Sequence, residues 1–219
     1  MTVLDVASPQ AQARRFARVH DRLARSPLID GGGLLRTRMV GDIGLGALVR
    51  DAVQAHPHAA EAHMISRASG ERGDPDRWLE SAPGGPALER FAHSEAVLDT
   101  LTRATGVAWQ PAGPGTWSYY RREGHHLGIH RDLAVCDLAV ITCVVDEGGH
   151  GTQGLLRLWP SRARESIDDI RHNPRRAIHL RIAAGQTVLL LGGLVAHQVL
   201  PLGPQQIRIV APLCYQAVP

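Results

Sequence analysis

The chain has 219 residues, of which 44% are hydrophobic and 21% are charged, values typical of a soluble globular protein with one sizeable core. All 24 basic residues are arginines, so Schiff-base lysine chemistry and a GxxxxGK[ST] phosphate loop are excluded. The arginines are interspersed with 21 acidic residues, without an accompanying pattern of aromatic residues, so we expect no nucleic-acid partner.

Neither a membrane span nor a secretory signal is predicted. No apolar run reaches the length of a spanning helix, and the segment MTVLDVASPQAQARRF lacks a basic stretch followed by an apolar one. Cys136, Cys143 and Cys214 are odd in number and show no CxxC spacing, so we expect thiols in the core rather than a disulfide framework or a zinc site. These features together predict a cytoplasmic protein.

The first hundred residues predict mainly helices. Residues 8–23 begin with a Ser-Pro pair that is typical of a helix start and continue with apolar residues at helical spacing. Apolar periodicity also indicates helices over residues 43–53 and 88–101, the latter ending at Gly106. Residues 69–86, SGERGDPDRWLESAPGGP, are polar and rich in Gly and Pro, which is typical of a loop.

The second half changes to the pattern of a β-sandwich or β-barrel. Short apolar segments separated by Gly, Pro or Asp follow one another: TWSYYRR, DLAVITCVV, GLLRLWP, AIHLRIA, TVLLLGG and QIRIVAPLCY. We therefore predict one α+β domain with a mainly β core. Residues 1–110 would form a helical support region and residues 111–219 the core.

The segment at 124–135, GHHLGIHRDLAV, contains a candidate metal site. His130 and Asp132 lie where the chain enters a predicted strand, and positions i and i+2 of a strand share one face. His93 and Glu95 have the same spacing, but they fall in a predicted helix, where such positions point about 200° apart. Strand geometry therefore favours His130 and Asp132 as ligands of one metal ion.

A third ligand is needed, because metal sites in proteins normally use three or more protein groups. The candidates are the remaining histidines of the second half: His125, His126, His150, His172, His179 and His197. His197 follows an apolar strand at a turn. Arg208 comes eleven residues later, in an otherwise apolar strand. A buried cation needs an anionic partner, and a bound carboxylate would pair well with a guanidinium.

In this order, His130-x-Asp132, His197 and Arg208 resemble the Fe(II)/2-oxoglutarate-dependent dioxygenases. That family binds iron through two histidines and one carboxylate, which leaves open positions on the metal. The resemblance indicates that His197, among the candidate histidines, is the third ligand.

A further set of residues resembles the prolyl-hydroxylase-like branch of that family. Tyr120 lies ten residues before His130, with Gly124 between them. The segments VITCVV, GLLRLWP and AGQTVLLLGGLVAHQVLPL resemble the strands that follow in that branch. The resemblance covers residues 115–216.

The resemblance implies a double-stranded β-helix, which is a jelly-roll or cupin-like barrel, with N-terminal helices packed against it. It implies that His130, Asp132 and His197 bind Fe(II) and are catalytic, and that Arg208 and Tyr120 bind the cosubstrate 2-oxoglutarate. Oxygen would be the second cosubstrate. The products would be succinate, CO2 and a hydroxylated compound. Halogenating relatives replace the carboxylate with a small residue, so Asp132 favours hydroxylation.

The cosubstrate and substrate contacts are less clearly predicted. Several relatives carry Ser or Thr two positions after the arginine, where this chain has Val210, so Thr142 or Tyr120 is expected to supply that contact. The substrate is expected to be a small molecule, such as an amino acid, a specialised metabolite or a peptide-linked compound. The residues expected to contact it are Arg121, His126 and Arg157.

Two other classes remain as alternatives. A metal-dependent cupin of different chemistry would share the barrel and a GxxxxxHxH opening, but here Asp132 replaces the second histidine and Arg208 would have no role. A non-catalytic binding barrel would not need the metal ligands. Fe(II) and 2-oxoglutarate mixed without air separate these classes, because only the dioxygenase is expected to give a visible charge-transfer band.

Overall fold

A computed structural model of the protein describes residues 26–63, 72–133 and 135–218. The helix predicted for residues 8–23 lies outside this part of the chain. The first described element is the helical turn α1 (Pro27–Asp30), with Ser26 as its N-cap residue and a proline at its first position.

The remaining helices largely agree with the sequence pattern. They are α2 (Asp42–Ala55), α3 (Pro86–Ala92), α4 (Glu95–Thr105) and α5 (Ile167–His172), with short 3-10 turns at His56–His58 and Pro160–Arg162. The helix predicted over 88–101 is in fact two helices, because the Ser94 hydroxyl caps α4 by accepting the Val97 amide. Helix α4 ends as predicted at Gly106, whose φ of 69° is left-handed.

Twelve strands make up the rest of the described fold. They are β1 (Leu34–Thr37), β2 (Ala60–His63), β3 (Arg77–Pro83), β4 (Trp109–Pro111), β5 (Thr116–Tyr120), β6 (His126–His130), β7 (Leu138–Glu147), β8 (Leu156–Leu158), β9 (Ile178–Leu180), β10 (Thr187–Leu190), β11 (His197–Val199) and β12 (Ile207–Ala217). The paired strands are antiparallel and follow the order β1-β10-β7-β12-β5-β3-β6-β11-β8-β9, with β2 on β3 and β4 on β12.

The strands form two rows of four, β10-β7-β12-β5 and β6-β11-β8-β9. Strand β3 joins the rows, because residues 80–83 pair with β5 and residues 77–78 pair with β6. This arrangement is the jelly-roll, or double-stranded β-helix, that the resemblance implied, and the mainly β core is confirmed.

The first half, which was predicted to be mainly helical, also contains strands. Strands β1, β2 and β3 all precede residue 110, and residues 77–83 form a central strand where the sequence predicted a loop. Glycines and prolines flank this strand on both sides. Its inward face carries Arg77, Leu79 and Ser81, so the apolar alternation that normally indicates a strand is weak. The single-domain organisation stays a prediction.

Strand alternation separates two packed faces. On β5, Trp117 and Tyr119 point towards helices α2 and α3, while Thr116, Ser118 and Tyr120 point into the barrel. Asp51 of α2 fixes the helices to the sheet, because its carboxylate accepts hydrogen bonds from Trp117 Nε1 (2.9 Å) and from the amides at the start of α3 (2.6 and 2.8 Å). The helical region thus braces the outer face of the barrel.

The cysteines differ from expectation. Cys136 and Cys214 form a disulfide that joins the segment before β7 to β12, while Cys143 is a buried free thiol. The expectation of three core thiols therefore holds only for Cys143, because residues far apart in sequence meet across the barrel. Within the described ranges, no helix combines the length and hydrophobicity of a membrane span. The cytoplasmic location stays a prediction.

Candidate metal centre and cavity

Strands β6 and β11 bring the three predicted metal ligands together. His130 and His197 occupy paired positions on these strands, and their ring centroids are 4.2 Å apart. The Asp132 Oδ1 atom lies 3.7 Å from His130 Nε2 and 3.6 Å from His197 Nε2. One ligand atom from each residue falls within 4.8 Å of the other two, and no other group of this kind occurs among the described residues. The geometry is suited to one metal ion.

Both histidines are oriented by the backbone. His130 Nδ1 lies 2.9 Å from the Gly128 carbonyl oxygen, and His197 Nδ1 lies 3.0 Å from that of Val195. A carbonyl only accepts hydrogen bonds, so Nδ1 is the donor in each ring. Nε2 is therefore left to face the other ligands. Both side chains are at least 95% buried, which limits their rotation.

A bulge in β6 places His130 on the inner face. His130 pairs with His197, but Leu127 pairs with Val199. An advance of three residues along β6 therefore matches an advance of two residues along β11, which defines the bulge. The extra residue lets both Leu127 and His130 face the cavity, although they are three positions apart in sequence. Regular alternation would have turned one of the two side chains outward.

Asp132 is held by a close approach to Gly192. The Asp132 amide donates to the Gly192 carbonyl (2.9 Å). A Cβ atom on Gly192 would lie only 1.6 Å from Asp132 Oδ2, so a side chain there is incompatible with this carboxylate position. Oδ2 is buried without a hydrogen-bond partner among the described residues. Glycine at 192 thus directs Oδ1 towards the two histidines.

Two arginines tie together the segments that carry the ligands. Arg72 Nε donates to the Asp132 carbonyl (3.2 Å), and its Nη2 donates to the Gly193 carbonyl. Arg131 Nε donates to the Leu194 carbonyl (2.8 Å). The backbones of Arg72 and Arg131 also exchange two hydrogen bonds of 2.9 Å. The sequence analysis did not predict this role, because it requires contacts between residues 59 to 121 positions apart.

The charges of the three ligands are coupled. Burial and the nearby charge of His197 lower the pKa of His130 to about 3. Burial also acts against the charged forms of Asp132 and His197, but their mutual attraction is stronger. It lowers the pKa of Asp132 and raises that of His197. Before a metal binds, and at pH values below the raised pKa of His197, Asp132 and His197 therefore form an ion pair beside a neutral His130.

The ligands open onto a cavity of about 270 Å3 inside the barrel. Its polar wall includes Arg208, Tyr120, Arg77 and Ser118, and much of the rest is aliphatic. The volume is at the small end of ligand pockets, which span about 300–1,000 Å3. The cavity therefore suits small ligands, or one end of a larger one.

Arg208 is the most deeply buried cation of the cavity, with 2% of its side chain exposed. Its Nη1 donates to the Ile182 carbonyl (3.1 Å) and lies 3.4 Å from Asp146 Oδ1. Arg181 lies 3.3 Å from the other oxygen of Asp146, so two guanidinium groups share one carboxylate and one positive charge is in excess. Arg208 Nε has no hydrogen-bond partner in the described part of the chain. A bound anion would balance this charge.

Tyr120 lies directly beside Arg208, since the two are paired across β5 and β12. Burial raises the pKa of Tyr120 to about 12, although Arg208 and Arg77 act in the opposite direction. The phenol is therefore protonated at neutral pH and can donate its O–H group to an anion that Arg208 binds.

Thr142 is not brought to the cavity. Ala139 and Ile141 of β7 face the interior, so Thr142 points to the opposite face, where its hydroxyl lies 3.0 Å from that of Thr187. The prediction of Thr142 as a cosubstrate contact conflicts with this position. Tyr120 is left as the candidate that faces the cavity.

The three predicted substrate residues also lie away from the cavity wall. Arg121 is exposed and contacts His56 (2.6 Å between Nη1 and Nε2). His126 lies 3.1 Å from a carboxylate oxygen of Asp76. Arg157 donates to the Pro174 carbonyl (3.0 Å). Proximity in sequence to His130 suggested Arg121 and His126, and a place on the predicted strand GLLRLWP suggested Arg157, but strand alternation points their side chains elsewhere.

The structure adds Arg77 to the cavity, a residue that the sequence placed in a loop. Strand β3 pairs with both β5, which carries Tyr120, and β6, which carries His130, so Arg77 lies between the predicted cosubstrate residue and a predicted metal ligand. The only signal in the sequence was the alternation of Arg77, Leu79 and Ser81, which is too polar to indicate a strand.

No family model matches the chain, and no curated protein matches it in sequence. Solved structures do match. The non-heme alpha-ketoglutarate-dependent epimerase SnoN from nogalamycin biosynthesis, in complex with Fe3+, alpha-ketoglutarate and nogalamycin RO, has a TM-score of 0.65 and 12% identity, over 95% of this chain and 84% of SnoN.

Two further structures are similar. A Pseudomonas putida prolyl-4-hydroxylase has a TM-score of 0.54 and 15% identity, over 91% of this chain and 98% of that one. HygX from Streptomyces hygroscopicus, with nickel, 2-oxoglutarate and hygromycin B bound, has a TM-score of 0.55 and 10% identity, over 93% and 86%. This chain therefore has the fold of the 2-oxoglutarate-dependent Fe(II) oxygenases, as its motifs predicted.

Proposed function

We propose that the protein is an Fe(II)- and 2-oxoglutarate-dependent oxygenase that hydroxylates a C–H bond of a small molecule. The observation that carries this proposal is that the two histidines, the aspartate and Arg208 line one cavity in this fold. The polar groups needed for a metal and a dicarboxylate are thus already oriented towards one interior space.

The three ligands suit iron. Two neutral imidazole nitrogens and one carboxylate oxygen form the donor set of non-heme Fe(II) oxygenases. His130 and His197 would bind through Nε2 and Asp132 through Oδ1. Asp132 Oδ1 lies 3.7 and 3.6 Å from the two Nε2 atoms, and this convergence of three ligand atoms supports a site for one ion. Bound iron would supply the oxidising chemistry that couples O2 and 2-oxoglutarate to oxidation of the substrate, with release of succinate and CO2.

Arg208 and Tyr120 would hold 2-oxoglutarate. The excess positive charge shared by Arg208, Arg181 and Asp146 would be balanced by the distal carboxylate of the cosubstrate. The protonated Tyr120 would donate a hydrogen bond to the same carboxylate. Burial strengthens both interactions, because water does not compete for the ligand.

Hydroxylation is favoured over halogenation by Asp132, because the carboxylate occupies the position that a halide would need. Proteins that catalyse different reactions share this fold, since SnoN is described as an epimerase and the P. putida protein as a prolyl-4-hydroxylase. Similar structures contain nogalamycin RO and hygromycin B. The substrate we propose is likewise a small or peptide-linked molecule, whose reacting end enters the cavity.

The test is to mix the purified protein with Fe(II) and 2-oxoglutarate without air, and then to admit O2 with a substrate panel. We expect a visible charge-transfer band at the first step, followed by succinate release and a product one oxygen atom heavier. His197→Ala, which lacks one proposed metal ligand, is the negative control and should give neither the band nor the product. A cupin of different chemistry or a binding barrel would give no band. A product of unchanged mass would contradict hydroxylation, but it would be consistent with a 2-oxoglutarate-dependent oxygenase that catalyses another reaction.

A further inference from the structure

Strand β3 contributes a charged residue that the proposed reaction does not yet use. Its inward positions, Arg77, Leu79 and Ser81, all line the cavity. Arg77 pairs with Leu127 of β6, just before the bulge that carries His130 inward. Strand β3 itself lies between β5, which carries Tyr120, and β6, which carries His130. The guanidinium is therefore placed between the elements that carry the cosubstrate residue and the metal ligand.

The proposed function assigns a reactant to each charged residue of the cavity wall except Arg77. Besides the two histidines, the charged residues of the wall are Asp132, Arg208 and Arg77. In the proposed function Asp132 binds the metal and Arg208 binds 2-oxoglutarate, so Arg77 has no assigned partner among the reactants. Arg77 also interacts with protein groups. A guanidinium carries five N–H donors, however, so it can serve protein and ligand at once, as Arg208 does.

The surroundings of Arg77 restrict what the ligand can be. Leu79, Leu127, Leu156 and Val199 form an aliphatic wall beside the metal ligands. Such a wall favours hydrocarbon by the hydrophobic effect, whereas a guanidinium in a low-dielectric space favours an anion with two coplanar oxygens. The two features together suit a molecule with an aliphatic segment and a carboxylate.

We propose that Arg77 binds the carboxylate of the primary substrate, so that an aliphatic carbon next to it lies at the metal centre. This inference rests on the proposed function and names its substrate class, an aliphatic carboxylic acid or the carboxylate end of a larger molecule. Arg77 is then the residue that distinguishes acids from their neutral analogues, while Arg208 binds the cosubstrate.

The test uses binding, so that it does not depend on knowing the natural substrate. The protein is loaded with Zn(II), which does not support turnover, and with 2-oxoglutarate. It is then titrated calorimetrically with butanoate, hexanoate and octanoate and with the corresponding primary amides. We expect the best carboxylate to bind about 10- to 100-fold more tightly than its amide, the range for a hydrogen bond to a charged group.

Arg77→Gln should remove this preference and leave the affinity for 2-oxoglutarate unchanged. Arg77→Lys should restore part of it, because the charge returns without the planar donors. The matched control is Arg121→Gln, which removes an exposed arginine outside the cavity and should change neither property.

Three results would overturn the inference. One is equal binding of acids and amides by the wild-type protein, and another is a preference that survives Arg77→Gln. The third is a loss of 2-oxoglutarate affinity in Arg77→Gln, which would place Arg77 in the cosubstrate site. A wild-type protein that binds Zn(II) but not 2-oxoglutarate would instead contradict the proposed function, so the two failures can be distinguished.

Discussion

The metal centre and the arginine group around Arg208 line the same cavity, but they are built differently. Each metal ligand is oriented by backbone atoms. The Gly128 and Val195 carbonyls, each two residues away in sequence, orient the histidines, and Gly192, which lies between β10 and β11, positions Asp132. Arg208 is instead held mainly by Asp146 and the Ile182 carbonyl, which are 62 and 26 residues away in sequence.

This difference indicates which kind of substitution should affect each region most. The metal centre depends on atomic position, because its ligands must converge on one point to within tenths of an ångström. The Arg208 group depends on charge, because one excess positive charge in a buried site is what attracts an anion. Substitutions that move atoms should therefore affect metal binding most, and substitutions that remove charge should affect cosubstrate binding most.

The largest effect is expected for Asp132→Gly. Removing the carboxylate takes away one of three ligands and the anion that pairs with His197, so hydroxylation should be abolished. The measurement is succinate release and product mass with Fe(II), 2-oxoglutarate and O2. Full activity in this variant would remove Asp132 from the metal site.

Arg208→Gln should raise the dissociation constant of 2-oxoglutarate by about 100- to 1,000-fold, the loss typical of one member of a buried charge pair. Affinity for Zn(II) alone should change little. Arg181→Gln removes the same excess charge without changing the cavity wall, so it should weaken 2-oxoglutarate binding less than Arg208→Gln, which also removes the hydrogen-bond donors that face the ligand. An equal loss in both variants would show that the charge, and not the position of Arg208, governs binding.

Gly192→Ala tests the dependence of the metal centre on position. The new methyl group would occupy the place of Asp132 Oδ2, so the carboxylate must turn away, and we expect metal affinity to fall by about 10- to 100-fold. Gly113→Ala is the control, because a Cβ there meets no atom within 4 Å. Unchanged Zn(II) affinity in Gly192→Ala would show that this close approach does not orient the ligand.

Tyr120→Phe should weaken 2-oxoglutarate binding by about tenfold, the effect of losing one hydrogen bond to a charged group. Its neighbour is a built-in control, since the Tyr119 hydroxyl donates to the Ala52 carbonyl on the outer face (2.8 Å). Tyr119→Phe should lower the free energy of unfolding by about 1 kcal/mol and leave cosubstrate binding unchanged. The reverse pattern would mean that the two tyrosines had been assigned to the wrong faces.

The smallest effect near neutral pH concerns proton competition at His197. Asp132 raises the pKa of His197 above its ordinary 6.5. At any pH below this raised pKa, His197 carries a proton that a metal ion must displace in order to bind. Zn(II) affinity should therefore be constant at higher pH and fall by up to about tenfold per unit once the pH drops below it. His130, with a pKa of about 3, should contribute nothing in this range. A midpoint below pH 6.5 in the titration would contradict the ion pair with Asp132.

Much of the metal centre could be predicted from sequence. His130 and Asp132 share a short spacing, and the distant His197 and Arg208 stand out as polar residues at the end of, or within, apolar strands. Arg121 and His126 were predicted from their proximity along the chain to His130, and Arg157 from its place on a predicted strand, yet their side chains contact other groups. Neighbours in a strand alternate between faces, so sequence proximity does not decide which face a residue occupies.

The sequence by itself determined the mainly β core, the order of the motifs and the residue types that suit a metal and a dicarboxylate, because these depend on local periodicity and short spacings. Only the tertiary structure decided that β3 bridges the two rows of strands and brings Arg77 into the cavity. It also decided that Gly192 positions Asp132, that Thr142 faces outward and that Cys136 meets Cys214. Each of these depends on contacts between residues far apart in the chain, and strand register and bulges set such contacts without leaving a local pattern in the sequence.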